Sequence, residues 1–248
     1  MGKKLKKSRK LTNSIAKTKR KMNLGGKPKV GIKADGDGAI KRPRSERALN
    51  AVKVVVPQYF VAPVYGDHCP KGGATSMKVT LGPAGALPTN YGSTPASNTP
   101  PVMRKLLNGE YNHFGWIAGH LLNDNMGGPG IAKNLTPLTT AGNKNHLNAC
   151  ETKIKNFLIS AYSHCEFNKS DPYWYGVEYE VTVGDDKWDV EHVDLQYVAQ
   201  ELRVSAKVVK MHKLSLLITD ALKTEVAITS YFNPIINAAV DNTGYDQI

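Results

Sequence analysis

The 248-residue sequence predicts an α+β fold built on a central antiparallel sheet. Three observations carry that reading. Between Trp174 and Val183, Val177, Tyr179, Val181 and Val183 alternate with Glu178, Glu180 and Thr182, the period-two pattern of a strand with one buried face. From Leu138 or Thr139 to about Tyr162, the residues Leu147, Cys150, Ile154, Phe157, Leu158 and Ala161 recur at helical spacing and define a buried stripe. Between these scales, residues 115–151 read as a strand, a Gly-rich loop, an Asn134-Leu135-Thr136-Pro137 step and the start of that helix.

In chain order, residues 1–49 are rich in Lys, Ser, Gly and Arg and hold no aromatic residue. Such a segment cannot bury enough apolar area to offset its ordering entropy, so a disordered basic tail is expected there. A folded body is expected over residues 50–248. Val52–Val56, continuing to Val61, predicts a strand broken at Pro57, and Ser76–Leu81 predicts a second. Residues 82–101 read as a long loop of Gly, Pro, Ser, Thr and Asn with no role evident from the sequence. Val102–Leu107 and Phe114–Leu122 predict two further strands, the second ending near His120. Three glycines and a proline force a loop over Asn123–Gly130. Asn134–Pro137 is expected to be extended, because a residue before proline avoids the α region. Thr139 or Thr140 is the expected helix N-cap. Further on, Val204–Met211 and Val226–Phe232 read as strands, and Leu214–Leu222 fits helix or strand equally.

Charge is unevenly spread. Residues 1–50 hold 17 of the 33 Lys and Arg and three of the 21 acidic residues, which leaves a net −2 on the rest. The net charge of +12 therefore belongs to the N-terminal segment. That segment suits phosphate-backbone binding without sequence preference, a nuclear-import address (Lys3–Lys10, Lys41-Arg42-Pro43-Arg44) or a leader read by a delivery apparatus. The basic start is followed by no apolar stretch, so no secretory signal is expected, and no window is long enough for a membrane helix. Three cysteines, Cys69, Cys150 and Cys165, form neither a zinc motif nor a disulfide framework; a Cys69–Cys165 bridge is open, and Cys150 reads as a buried helix thiol.

The chemistry concentrates at 115–151. His120 follows a glycine at a strand end, where an imidazole of near-neutral pKa can act as a general base on water. Asn143, in the first helical turn, offers a neutral hard oxygen suited to Mg²⁺. His146 lies about 60° round the helix from Asn143 and is a rival ligand that would favour a softer transition metal. Glu151, about 80° round and roughly 12 Å along from Asn143, fits either support of a hydrated metal or a solvated helix position. Lys155 follows one turn later. Asn134 is placed to fix the loop between His120 and the helix.

Gly119-His120, then Asn134-Leu135-Thr136-Pro137, then Asn143 nine residues after Asn134, then Glu151 eight further on, resembles the DNA/RNA non-specific endonucleases, ββα-metal nucleases of the His-Me-finger class. The resemblance is strong over about 40 residues. It implies a ββα-metal core, with His120 as general base, Asn143 as the ligand of Mg²⁺ (or Mn²⁺), and Glu151 supporting the hydrated ion. It implies in-line hydrolysis of DNA or RNA phosphodiesters to a 5′-phosphate and a 3′-hydroxyl. One departure is plain: Ile117-Ala118 precede Gly119 where the family has Asp-Arg, so the phosphate-steadying arginine is missing. Arg104, Lys133, Lys144 and Lys155 are the candidate replacements, Lys155 being best placed. The form of the Gly-rich loop is also similar to nuclease modules of bacterial toxins and injected effectors. That likeness implies a protein kept in the cytoplasm of its producer and delivered to a target cell, with an immunity protein or a secretion or injection apparatus as partner. The competing reading is a nucleic-acid-binding protein whose body is a catalytically degenerate nuclease.

Overall fold

The structure is a computed structural model in which residues 56–85, 92–93, 95, 99–221 and 235–243 are described. The basic segment 1–49, Val52–Val55 and the Val226–Phe232 stretch lie outside the described residues.

Among the described residues, ten strands and three α-helices follow in order: β1 (Tyr59–Tyr65), β2 (His68–Cys69), β3 (Gly73–Ala74), β4 (Ser76–Leu81), α1 (Met103–Asn108), β5 (Trp116–His120), β6 (Leu135–Thr139), α2 (Thr140–His146), α3 (Thr152–Phe167), β7 (Tyr173–Val183), β8 (Glu201–His212), β9 (Ile218–Asp220) and β10 (Ile235–Asp241). A single π-helical turn, Leu147–Glu151, joins α2 to α3. The main sheet is antiparallel, in the order β1-β4-β7-β8-β10, with β9 also on β8. β10 pairs with the first part of β8 and β9 with its end, so the two short strands share one edge of β8.

The alternation in β7 sorts the two faces of this sheet. Val177, Tyr179 and Val181 are fully buried and join Met77, Val79, Leu202, Val204 and Ala206 from the neighbouring strands. Ile154, Phe157, Leu158 and Ala161 of α3 close the same core. The opposite face carries charges in register. Lys78 stands across from Glu180 and Glu178 across from Lys207, with ion pairs at 3.5 Å (Lys78–Glu180) and 3.6 Å (Lys207–Glu178). These groups are solvated, so each pair adds only about 0–1 kcal/mol; their main effect is to fix register and keep that face wet.

The β5–β6 hairpin stands apart from the main sheet, pairing Trp116 with Thr139 at one end and His120 with Leu135 at the other. A second core holds α1 against it: Val102, Met103, Leu106 and Trp116 pack with Leu195 and Val198.

Two expectations need correction. Val102–Leu107 is mostly α1, not a strand. Met103 and Leu106 are buried three residues apart while Leu107 is exposed, a helical period that is hard to see in a six-residue stretch with four apolar residues. Leu147 does not belong to the helix's buried stripe; it is 36% exposed. The π turn inserts one residue and shifts the angular phase, so that His146 takes the inward position. Leu214–Leu217 form an exposed turn, with only Ile218–Asp220 extended. All three cysteines are free, and Cys150 is buried. Among the described residues no helix is long and apolar enough to cross a membrane.

Candidate functional site

The helix that begins at Thr140 runs alongside β5. Thr139 is its N-cap, its Oγ1 accepting from the Gly142 amide at 2.9 Å. Thr140 Oγ1 donates to the Gly115 carbonyl, just before β5 begins, at 2.6 Å. Eleven residues later, Glu151 Oε2 accepts from Asn123 Nδ2 at 2.9 Å, just after β5 ends. The helix thus spans the hairpin from one end to the other, with His120 at the far end of β5 and Asn143 in the first helical turn.

Asn134 is completely buried and holds the loop together. Its Oδ1 accepts from the Leu122 amide at 2.9 Å, and its Nδ2 donates to the carbonyls of Leu122 and Pro129 at 3.0 and 2.9 Å. Gly128 lies so close that a Cβ there would sit 1.6 Å from the Leu122 oxygen, which no side chain can satisfy. The loop after His120 therefore closes on an asparagine at the start of β6.

His120 is half-buried. Its Nε2 is 3.0 Å from the Ser93 carbonyl oxygen, a contact from a segment 27 residues earlier. No hydrogen bond among the described residues links His120 to Asn143 or to Glu151.

Asn143 is half-buried, and its side-chain amide makes no hydrogen bond among the described residues. Four other asparagines of the region are engaged: Asn123 with Glu151, Asn134 with the loop, Asn145 with the Asp241 carbonyl, and Asn242 with Thr139. A free carboxamide oxygen on a first helical turn is a suitable donor for a hard cation. Among the described residues no three His, Cys, Asp or Glu side chains gather as a ligand cluster.

His146 points into the core. It is 1% exposed, its Nε2 shares a 2.8 Å hydrogen bond with the Tyr179 hydroxyl on β7, and its Nδ1 faces Glu151 Oε1 at 3.6 Å. Burial, with a smaller push from Lys155, pulls its pKa down to about 4. The 3.6 Å approach to Glu151 is therefore not an ion pair at neutral pH. With one nitrogen on Tyr179 and the other on a carboxylate, His146 has no lone pair facing open space, and this geometry removes it from the ligand set expected for a transition metal.

Glu151 is 3% exposed. Burial drives its pKa up to about 7, against the lowering effects of Lys155 and Asn123. Lys155 Nζ lies 3.6 Å from Glu151 Oε2 with its side chain 15% exposed. The π turn matters here. One extra residue makes the Asn143–Glu151 interval behave like seven α-helical residues, which moves the angular offset from about 80° to about −20° and shortens the rise to about 10.5 Å. Asn143, Glu151 and, one turn on, Lys155 therefore fall along one side of the helix.

Sequence reasoning missed three groups. Asn242, at the end of β10, binds Thr139 and the carbonyls of Pro137 and Ala199. Tyr179 carries the buried hydroxyl that fixes His146. Ser93 carries the carbonyl on His120. An isolated buried asparagine or a backbone oxygen leaves no sequence pattern, so nothing local could have identified Asn242 or Ser93.

A cavity of about 900 Å³ lies elsewhere. Arg104, Lys105, Glu110, Tyr111, His192 and Asp194 line it, so Arg104 faces that space. Its walls mix both charge signs and include none of the hairpin–helix motif residues. A strand of nucleic acid binds along an open surface and needs no enclosed cavity, so the motif outweighs the volume.

Compared with known proteins, the chain matches no family model and no curated protein. The reading of the site therefore rests on its own residues.

Proposed function

We propose that the protein is a metal-dependent endonuclease that hydrolyses DNA or RNA phosphodiester bonds with little sequence specificity. The observation that carries this reading is the frame on which the motif sits. Gly119-His120 ends the first strand of a hairpin, Asn134-Leu135-Thr136-Pro137 opens the second, and Asn143 occupies the first turn of the helix that follows. A ββα-metal core has this order of parts. In this reading Asn143 holds Mg²⁺ or Mn²⁺ through Oδ1. The ion, when bound, stabilises negative charge on the phosphate oxygens as a Lewis acid. His120 takes the proton of the attacking water. Asn134 holds the loop that aims His120. Glu151, fixed by Asn123 and paired with Lys155, offers an acceptor to water on the same side of the helix as Asn143. Lys155 would supply the cation that the family's missing arginine otherwise provides.

One observation favours a second reading. Ala118 stands where the family has arginine, and Lys155 is already engaged with Glu151. A body that folds as a nuclease but only binds nucleic acid would fit both facts.

The test is incubation of the purified protein with plasmid DNA and with total RNA, with Mg²⁺ or with EDTA, beside His120→Ala and Asn143→Ala. The expected result is Mg²⁺-dependent degradation, lowered about 10²–10⁴-fold in His120→Ala with no change in unfolding midpoint, as for loss of a general base. Asn143→Ala should need more Mg²⁺ for the same rate. A wild type that degrades neither substrate with any divalent metal would transfer the assignment to the binding reading.

A further inference from the structure

The stretch of residues 82–101 carries no role in the sequence, yet part of it touches the histidine that the proposed reaction depends on. Three hydrogen bonds fasten Ser93. Its amide donates to the Gly128 carbonyl at 3.3 Å, its Oγ accepts from the Gly130 amide at 2.7 Å, and its own carbonyl lies 3.0 Å from His120 Nε2. Two of the three contacts are made with the Gly-rich loop that follows β5, and the third with the last residue of that strand. The neighbouring Gly92 lies flat on the same loop: a Cβ there would stand 2.1 Å from the Asp124 carbonyl oxygen and 2.5 Å from its Cα. Both are backbone atoms and cannot swing aside, so the close approach requires glycine.

A carbonyl oxygen accepts and never donates. Whatever nitrogen faces it must carry the proton. With Nε2 on Ser93, the neutral ring of His120 is held as the Nε2–H tautomer, and Nδ1 keeps the lone pair. An imidazole without such a partner exchanges tautomers and turns about its χ angles, and only part of its population presents a base to a water at a fixed place. At a catalytic histidine the wrong tautomer costs on the order of 10⁴ in rate when it is fully imposed.

We propose that Gly92-Ser93 is a strap that positions the general base: the Ser93 carbonyl fixes the tautomer and ring direction of His120, so that Nδ1 is the atom that accepts the proton from water. This rests on the nuclease reading given above and adds to it the reacting nitrogen and a positioning residue outside the hairpin–helix motif. The proton balance is simple. Water gives its proton to Nδ1 as its oxygen bonds to phosphorus and the P–O3′ bond breaks; the leaving 3′-oxygen takes a proton from solvent water, and the imidazolium, its bond to Ser93 strengthened by the charge, then returns its proton to solvent.

The experiment uses the full chain and reads the ring directly. Wild-type protein labelled with ¹⁵N histidine is examined by long-range ¹H–¹⁵N correlation at a pH where His120 is neutral, with His120→Gln identifying its signals. Cleavage of plasmid DNA is measured in parallel for wild type, Gly92→Ala and the milder Ser93→Ala. Wild type should show a protonated Nε2 and a bare Nδ1. Gly92→Ala should show averaged ring nitrogens and a kcat lowered about 10- to 100-fold, with KM and the Mg²⁺ requirement unchanged. Ser93→Ala, which loses only the Gly130 bond, should fall between. A protonated Nδ1 in the wild type overturns the proposal. So does a Gly92→Ala variant that folds and keeps both the wild-type ring signals and the wild-type kcat. If Gly92→Ala fails to fold, the wild-type ring nitrogens and the Ser93→Ala kcat decide in its place. Correct ring nitrogens with no cleavage by the wild type under any metal would overturn the nuclease reading and the strap's catalytic role together, whereas active wild type with an unaffected Gly92→Ala overturns the strap alone.

Discussion

At the end of the β5–β6 hairpin where Trp116 faces Thr139, the fastening comes from the far end of the chain. Asn242 Oδ1 accepts from the Thr139 amide at 2.8 Å, and its Nδ2 donates to the Pro137 and Ala199 carbonyls. The Trp188 indole donates to the Asn242 carbonyl at 3.1 Å. At the other end, where His120 faces Leu135, the fastening is local: Asn134 spans the loop with three bonds and Ser93 reaches in from outside. The first end is buried, and its polar groups answer one another. The second leaves an imidazole half-exposed. The difference teaches that the two halves of the proposed chemistry are positioned separately. The helix start that carries Asn143 is set by the C-terminal strand, and the imidazole is set by the loop.

That separation can be broken, and the largest effect is expected at the closed end. Asn242→Ala leaves the Thr139 amide and two carbonyls buried without partners, a loss of about 3–5 kcal/mol at one to three per unmet group less some relaxation. Urea denaturation would measure it. In the surviving folded protein the Mg²⁺ concentration for half-maximal cleavage should rise while the His120 ring signals stay put. A stability loss under about 1 kcal/mol would mean the closed end is held by something else.

Asn134→Ala should cost less, about 2–3 kcal/mol, because water can reach part of the loop and replace lost bonds. Its kinetic result should be the reverse: kcat falls, since the loop no longer aims His120, and the Mg²⁺ requirement is kept. If Asn134→Ala and Asn242→Ala alter metal dependence alike, the two ends are not independent.

The smallest effect is one of pH and concerns the pair beneath the open end. His146 has a folded pKa of about 4 against an ordinary 6.5, so its contribution is whole above pH 6.5 and is lost as pH falls toward 4. Glu151 has a folded pKa of about 7 against 4.5, so its contribution is whole below pH 4.5 and is lost as pH rises toward 7. Between pH 4.5 and 6.5 the two slopes oppose each other, and the wild type should change little. Glu151→Gln should uncover the histidine, with stability dropping as pH falls from 6.5 to 4. Urea midpoints at four pH values across that range would show it. A flat profile in Glu151→Gln would mean that His146 titrates normally.

Much of the frame was legible because its residues repeat. Ser76–Leu81 is β4 as read, the alternation at Trp174–Val183 is β7, and Thr139 caps the helix. Of the stretch Asn134–Pro137 read as extended, Leu135–Pro137 fall in β6, whereas Asn134 ends a short 3-10 turn. What escaped reading depends on distance or on phase. β10 was missed because Ile235–Asp241 has no alternation of its own and gains its strand form by pairing with β8. α1 was mistaken for a strand because six apolar-rich residues fit either period. His146 looked like a ligand because it follows Asn143 by three residues in α2; its imidazole is instead buried against the Tyr179 hydroxyl.

The π turn also changes what an interval in the sequence means. Eight residues separate Asn143 from Glu151, but the helix presents them as a regular helix would present residues seven apart. A chain with Asn and Glu at a spacing of seven and no π turn would offer the same two groups in the same directions. A chain with a spacing of eight and a regular helix would not. A search for distant relatives of this site should therefore admit either spacing, and should weigh each against the length of the turn between them.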